Sequence, residues 1–170
     1  MRSRPFAVRI CVIGIALGLT VATPAIAQER VGGHFGFVVP LVIRANSTTT
    51  TVSDDFVIGF PTGITLRTSD RVAFDLELVP VIQNEPWHVD LTVHPGVIVG
   101  LADRLNVGLR MAFDVNRPSW GFTPLVNRSF GIGGGASVFG ELDVPIRFQI
   151  DPFGSRFTSI GLAVHAGVGF

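Results

Sequence analysis

An alternation of apolar and polar residues with a period of two runs along almost all of residues 31–170, and it constrains this chain more than any other feature. Period two is the repeat of an extended strand, whose successive side chains point to opposite faces. In residues 104–115, Leu105, Val107, Leu109, Met111, Phe113 and Val115 share one face, opposite Arg104, Asn106, Gly108, Arg110, Ala112 and Asp114. Residues 159–170 repeat the pattern, as do 138–150, with Val138, Leu142, Val144, Ile146, Phe148 and Ile150 against Phe139, Glu141, Asp143, Pro145, Arg147 and Gln149. In 71–82, Val72, Phe74, Leu76 and Leu78 oppose Asp75 and Glu77; in 88–101, Val89, Leu91, Val93, Val97 and Val99 oppose His88, Asp90, Thr92, His94 and Gly96. Each of these segments carries hydrocarbon on one face and its polar or small residues on the other. No segment has the period of about 3.6 residues that marks an amphipathic helix.

Residues 1–27 have the parts of a secretory signal: Arg2, Arg4 and Arg9, an apolar run from Ile10 to Ala22, and a small-residue end at Ala25-Ile26-Ala27. The sequence therefore predicts a cleaved signal at 1–27 and a single domain at 28–170. The one cysteine, Cys11, lies in the signal, so the exported domain would carry neither disulfide nor thiol nucleophile. What remains is 143 residues with ten arginines against thirteen acids and no lysine. That balance gives no basic surplus to displace counterions, which argues against nucleic acid as a partner. The 47% hydrophobic content contains, beyond the signal, no run of about 18 apolar residues, so a membrane helix is excluded.

Three less regular strands, near 32–44, 56–67 and 120–127, bring the expected total to eight. Each is near ten residues long, enough for a tilted strand to cross a bilayer. The connections after the odd strands (roughly 45–55, 83–87, 116–119 and 151–156) read as polar and irregular, and those after the second and fourth as tight turns. A glycine-rich sixth connection is expected at 128–135; it is not a phosphate loop, because no helix follows it.

A soluble β-sandwich also alternates, with its apolar face inside, whereas a membrane barrel turns hydrocarbon outward and keeps a polar interior. The bulky uncharged face on nearly every strand, the mixture of glycine and paired charge on the other, and the end at Phe170 on a strand favour the barrel. With Leu162, Val164, Ala166, Val168 and Phe170 alternating up to an aromatic end, the sequence resembles the small eight-stranded outer-membrane β-barrel proteins of Gram-negative bacteria, the OmpA/OmpX transmembrane-domain type. The resemblance implies an all-β, eight-stranded antiparallel up-and-down transmembrane β-barrel, exported by a Sec-type route to the outer membrane. It also implies that the barrel-assembly machinery reads those five residues. Outer-membrane lipid and lipopolysaccharide are the expected surroundings, and a monomer the expected state. Without tyrosine, Trp87, Trp120 and phenylalanines would form the interfacial girdle.

Parity then sends Asp75, Glu77, Asp90, Arg110, Asp114, Glu141, Asp143 and Arg147 into the lumen with His34, His88, His94 and His165. Buried charge must be paired, and an eight-stranded barrel is just wide enough for side chains to fill. The group therefore reads first as a packed charge network. His88-x-Asp90 and Asp90-x-x-x-His94 could serve a base or a metal, but no third ligand or nucleophile is fixed by the spacing. Among barrels of this size, lipid A deacylases use a His-x-Ser pair. Here the residues two places after each histidine are Gly36, Asp90, Gly96 and Gly167, so that motif is absent. The expectation is a non-catalytic structural or surface-interaction protein without metal or cofactor. The tract at residues 46–53, with four threonines, could form a receptor surface, although solvated connectors look the same.

Pro40, Pro61, Pro80, Pro95, Pro124 and Pro145 fall within these strands, and each removes an amide that a closed barrel would pair. They could mark bulges and strand ends. Alternatively, Pro40/Pro61 and Pro124/Pro145 could loosen two seams for lateral entry of a lipid tail or apolar solute, an arrangement similar to that of outer-membrane palmitoyl transferases. A lipid-modifying enzyme, or a carrier or channel for small apolar solutes, is the competing function.

Overall fold

A computed structural model describes residues 30–84 and 87–170, so the expected signal segment lies outside the described residues. The segments are β1 (Val31–Ala45), β2 (Thr48–Thr51), β3 (Ile58–Gly59), β4 (Thr62–Arg67), β5 (Val72–Asn84) and β6 (Trp87–Ala102). They continue with β7 (Leu105–Asp114), β8 (Ser119–Gly133), β9 (Ala136–Asp143), β10 (Ile146–Ile150) and β11 (Arg156–Gly169). β3 with β4, and β9 with β10, are each one crossing broken in the middle, so the wall has eight crossings. Each pairs antiparallel with its chain neighbour. β11 pairs with β1 from His34↔Gly169 to Ala45↔Ser159, which closes the ring. The fold is an eight-stranded antiparallel up-and-down transmembrane β-barrel.

Its burial is the reverse of a water-soluble domain's. Among the described residues, only Val79, Ala112, Leu125 and Ala163 are fully buried hydrophobics, while thirteen polar or charged residues are buried. Leu76, Leu78, Val97, Leu109, Phe113 and Leu142 stand exposed on the outer face. An exterior of this kind is stable against hydrocarbon and costly against water. Trp87 and Trp120 are also exposed on the outer face, both near the end of the barrel that carries the irregular loops.

Three boundaries differ from the sequence reading. The threonine tract is a strand rather than a loop: Thr48–Thr51 pairs with Val42–Ala45 across a turn at Asn46, whose φ is 54°. Threonine's branched side chain suits a strand, a preference its polarity disguises. The wall then leaves register at residues 52–57 before β3 begins. The glycine-rich connection is also mostly strand. β8 runs to Gly133, and the turn is made by Gly134 and Gly135 at φ 62° and 80°, which side-chain-bearing residues rarely adopt. The third difference is that the crossings expected as unbroken over 56–67 and 138–150 are interrupted at Phe60-Pro61 and Val144-Pro145.

All six prolines stand at or against such interruptions. Pro40 marks the register shift between β1 and β11. At Pro95 the β6–β7 ladder skips from Val93↔Phe113 to Gly96↔Arg110. The remaining four form two matching sets. The Phe60 amide donates to Pro80 O while Pro61 O accepts from Gly36; the Val144 amide donates to Pro124 O while Pro145 O accepts from Gly161. All four bonds are 2.9 Å. Pro61 therefore teams with Pro80 rather than with Pro40. Both breaks keep a hydrogen bond to each neighbouring strand, so the wall stays continuous across them.

Among the described glycines, Gly121 has the least room for a side chain. A Cβ there would overlap the carbonyl oxygen of Ile146 and sit 3.0 Å from Arg147 Cα. Relief requires moving backbone rather than a flexible tip. Gly121→Ala should therefore lower stability by about 1–3 kcal/mol, read from the midpoint of urea unfolding in lipid vesicles; an unchanged midpoint would show that the β8–β10 spacing is slack.

Candidate functional site

The inward faces of seven other crossings contribute to a layer centred on Arg110, which is 5% exposed at the middle of β7. Its Nε donates to Asp75 Oδ2 at 2.9 Å and its Nη1 to Glu141 Oε1 at 2.5 Å; Nη2 lies 3.8 Å from Glu77 Oε1. One guanidinium from β7 thus ties β5 to β9 across the lumen, using the fixed fork of donors that makes arginine the residue for such sites. Three imidazoles complete the layer. His34 Nε2 is 3.0 Å from Glu77 Oε1, His94 Nδ1 is 3.1 Å from Glu77 Oε2, and His165 Nδ1 is 3.1 Å from Glu141 Oε1. Thr65 donates to Asp75 at 2.8 Å and Asn127 to Glu141 at 3.2 Å.

Arg147 fixes the state of one histidine. Its Nη2 lies 3.1 Å from His94 Nε2. Arginine has no acceptor, so Nε2 must accept and the ring proton sits on Nδ1, directed at Glu77. His94 is a neutral, doubly held imidazole. The other terminal nitrogen of Arg147, Nη1, donates to Thr123 Oγ1 at 3.0 Å.

Asp90 and Asp114 form a separate group nearer the loops. Arg117 Nη2 is 2.6 Å from Asp90 and its Nε 3.4 Å from Asp114. Gln83 donates to Asp90 and Thr92 to Asp114, at 2.8 and 2.7 Å. His88 Nε2 lies 3.3 Å from Asp90, so His88 and His94 serve different carboxylates and do not form one site with Asp90. Arg117 is the participant sequence reasoning missed: it follows β7 in a connection, where parity carries no information. Thr65, Thr123 and Asn127 were within reach of the period-two argument, which places all three on inward faces.

Asp143 is buried in β9 beside Glu141, with Oδ1 lacking a hydrogen-bond partner among the described residues; His165 Nε2 and Ser119 Oγ share that condition. Of the five residues expected to be read during assembly, Leu162, Val168 and Phe170 are exposed and Val164 and Ala166 half-buried, all on the outer face. At the rim, Asp54 accepts from the Thr51 hydroxyl and amide at 2.7 and 2.8 Å, which holds its carboxyl below the ordinary range.

Cavities open toward both ends of the barrel. A cavity of about 240 Å³ lies at the end carrying the tight turns, lined by Arg67, Asn106 and Ser137 and floored by His34, Arg110 and Glu141. A second, of about 690 Å³, lies at the loop end against β8 and β10, lined by Phe113, Trp120, Phe148 and Phe157 with Arg117, Ser119 and Gln149.

No family model matches the sequence, and no curated relative does either. Solved structures are similar in chain trace. One is the outer membrane protein AlkL, determined by solid-state NMR in DMPC lipid bilayers, at 9% identity, covering 83% of this chain and 89% of that one with a TM-score of 0.45. The crystal structure of the outer membrane protein OprG from Pseudomonas aeruginosa gives 9% identity, 82% and 93% coverage and a TM-score of 0.42. A de novo designed transmembrane β-barrel gives 12%, 79%, 94% and 0.40. The barrel assignment itself rests on the closed strand pairing and the inverted burial.

Proposed function

We propose that this chain is an outer-membrane barrel of the small eight-stranded type its sequence resembles, acting without catalysis as a structural or surface-interaction element. The observation that carries this reading is the layer around Arg110. Its charged groups span the lumen from wall to wall, and a continuous column of water through it would require separating buried ion pairs. Among the described residues, the histidines of the layer are held by carboxylates and arginine rather than against a serine or cysteine. Insertion through the barrel-assembly machinery, contact with lipopolysaccharide and a monomeric state belong to the same reading. The protein should fractionate with outer membranes, migrate faster on gels before boiling than after, and give no stepwise conductance in planar bilayers. Recovery in the soluble periplasmic fraction would overturn the membrane assignment, and regular conductance steps would overturn the closed lumen.

A carrier for small apolar solutes is the second reading. The observation favouring it is the cavity of about 690 Å³ against β8 and β10, on the loop side of the Val144-Pro145 break. It joins outward aromatic residues, Trp120 and Phe148, to the inward Ser119 and Gln149. Because the hydrogen bonds at that break hold the wall continuous, Pro124→Ala with Pro145→Ala should leave entry of an apolar fluorophore into cells unchanged. Entry that falls severalfold would favour the carrier.

A further inference from the structure

We propose that the lumen binds a divalent metal ion of the zinc class between Glu141, Asp143 and His165. Carboxylate oxygens of Glu141 and Asp143 and a ring nitrogen of His165 lie within 4.8 Å of one another, and all three residues are buried. The strand register builds this grouping: Glu141 and Asp143 are adjacent on the inward face of β9, and His165 of β11 pairs directly with Glu141.

Three observations point to a cation there. The first is Asp143 Oδ1, in a residue 5% exposed, which has no hydrogen-bond partner among the described residues. Two buried carboxylates side by side cannot both be ionised without a positive species between them. The second is the charge of the layer. Asp75, Glu77, Glu141 and Asp143 face Arg110 and Arg147, and His94 is neutral by the argument above. His34, whose ring nitrogens lie 3.7 and 3.0 Å from Asp75 and Glu77, adds charge on their side of the layer, so the pair Glu141 and Asp143 is where the carboxylates outnumber the cations. The third is His165, 1% exposed, whose Nδ1 is taken by Glu141 while its Nε2 has no hydrogen-bond partner among the described residues and so keeps a lone pair for a ligand.

One imidazole with two carboxylates is a donor set that zinc accepts. Arg110 and Asn127, both on Glu141, act as the outer groups that orient a ligating carboxylate. The cavity of about 240 Å³ reaches Glu141 from the turn end and supplies a route for entry.

The experiment is zinc binding by the intact barrel, refolded in detergent after chelation and desalting. The expected result is one zinc retained per chain through gel filtration, with a rise in the temperature at which heat-modifiable migration is lost. Asp143→Asn should weaken retention at least tenfold, while His88→Gln, at the rim, should leave it unchanged. Failure of the wild-type protein to retain zinc would overturn the proposal and leave a shared proton between Glu141 and Asp143 as the neutralising species. So would retention lost with His88→Gln but kept with Asp143→Asn. Should Asp143→Asn not fold, visible absorption of Co²⁺ bound to the wild-type protein decides: a spectrum of four- or five-coordinate cobalt supports the site, and that of the hydrated ion refutes it. Outer-membrane fractionation and conductance are read independently, so the site and the closed-lumen role can fail separately.

Discussion

Arg110→Met should cost about 3–5 kcal/mol of stability, the range for removing one partner of a buried ion group. The methionine would fill much of the space, so the loss would come from charge. Asp75, Glu77 and Glu141 are each under 4% exposed, and without the guanidinium they are left with threonine, asparagine and imidazole donors. Arg110→Lys should recover only part of the loss, because an ammonium cannot reach Asp75 and Glu141 with the geometry of a fork. Combining Arg110→Met with Glu141→Gln should cost less than the sum of the two single changes, since the second removes a charge the first orphaned. Urea titration in lipid vesicles reads all four. A loss below about 1 kcal/mol for Arg110→Met would mean the layer is hydrated, and the closed-lumen reading would fall with it.

Leu109→Arg, one residue along β7 and on the opposite face, should cost about 2–4 kcal/mol in a bilayer. Leu109 is 51% exposed, and its register partners are Val97 and Pro124. In water, an arginine replacing an exposed leucine at this position would be close to neutral. The same substitution therefore separates a lipid-facing wall from a wet one, and a change within about 0.5 kcal/mol would contradict the membrane assignment. Arg110 and Leu109 are neighbours in the chain, yet their substitutions are expected to fail for opposite reasons: one strips a charge from a place that needs it, the other places a charge where nothing can solvate it.

The sequence alone separates Leu109 from Arg110, because parity along a strand is local and survives without knowledge of the neighbours. The same argument leads to Asp75, Glu77 and Glu141 on the inner face. Parity does not say which strands lie opposite each other at a given height, so the tie from Arg110 to both Asp75 and Glu141 appears only with the register. The prolines show the same limit. Their interruption of the ladder is legible, but the matching of Pro61 with Pro80, rather than Pro40, depends on which carbonyl faces the break. Arg117 was illegible for a different reason, since a connection has no face. The threonines of β2 were misread because polarity was weighed above the strand preference of a β-branched side chain.

The pairing of β1 with β11 also bears on how the molecule comes into being. Half of the hydrogen-bonding edge of β1 has its partner at the far end of the chain, so the earliest strand made waits for the latest. Until then any partial sheet presents two raw edges, each a template for a second chain. Local hairpins such as β5–β6 can form early, but none can shelter the charge layer, whose members are spread from His34 to His165. Folding should therefore be slow and all or none, with inward charges and outward hydrocarbon finding their proper solvents in a single closing event.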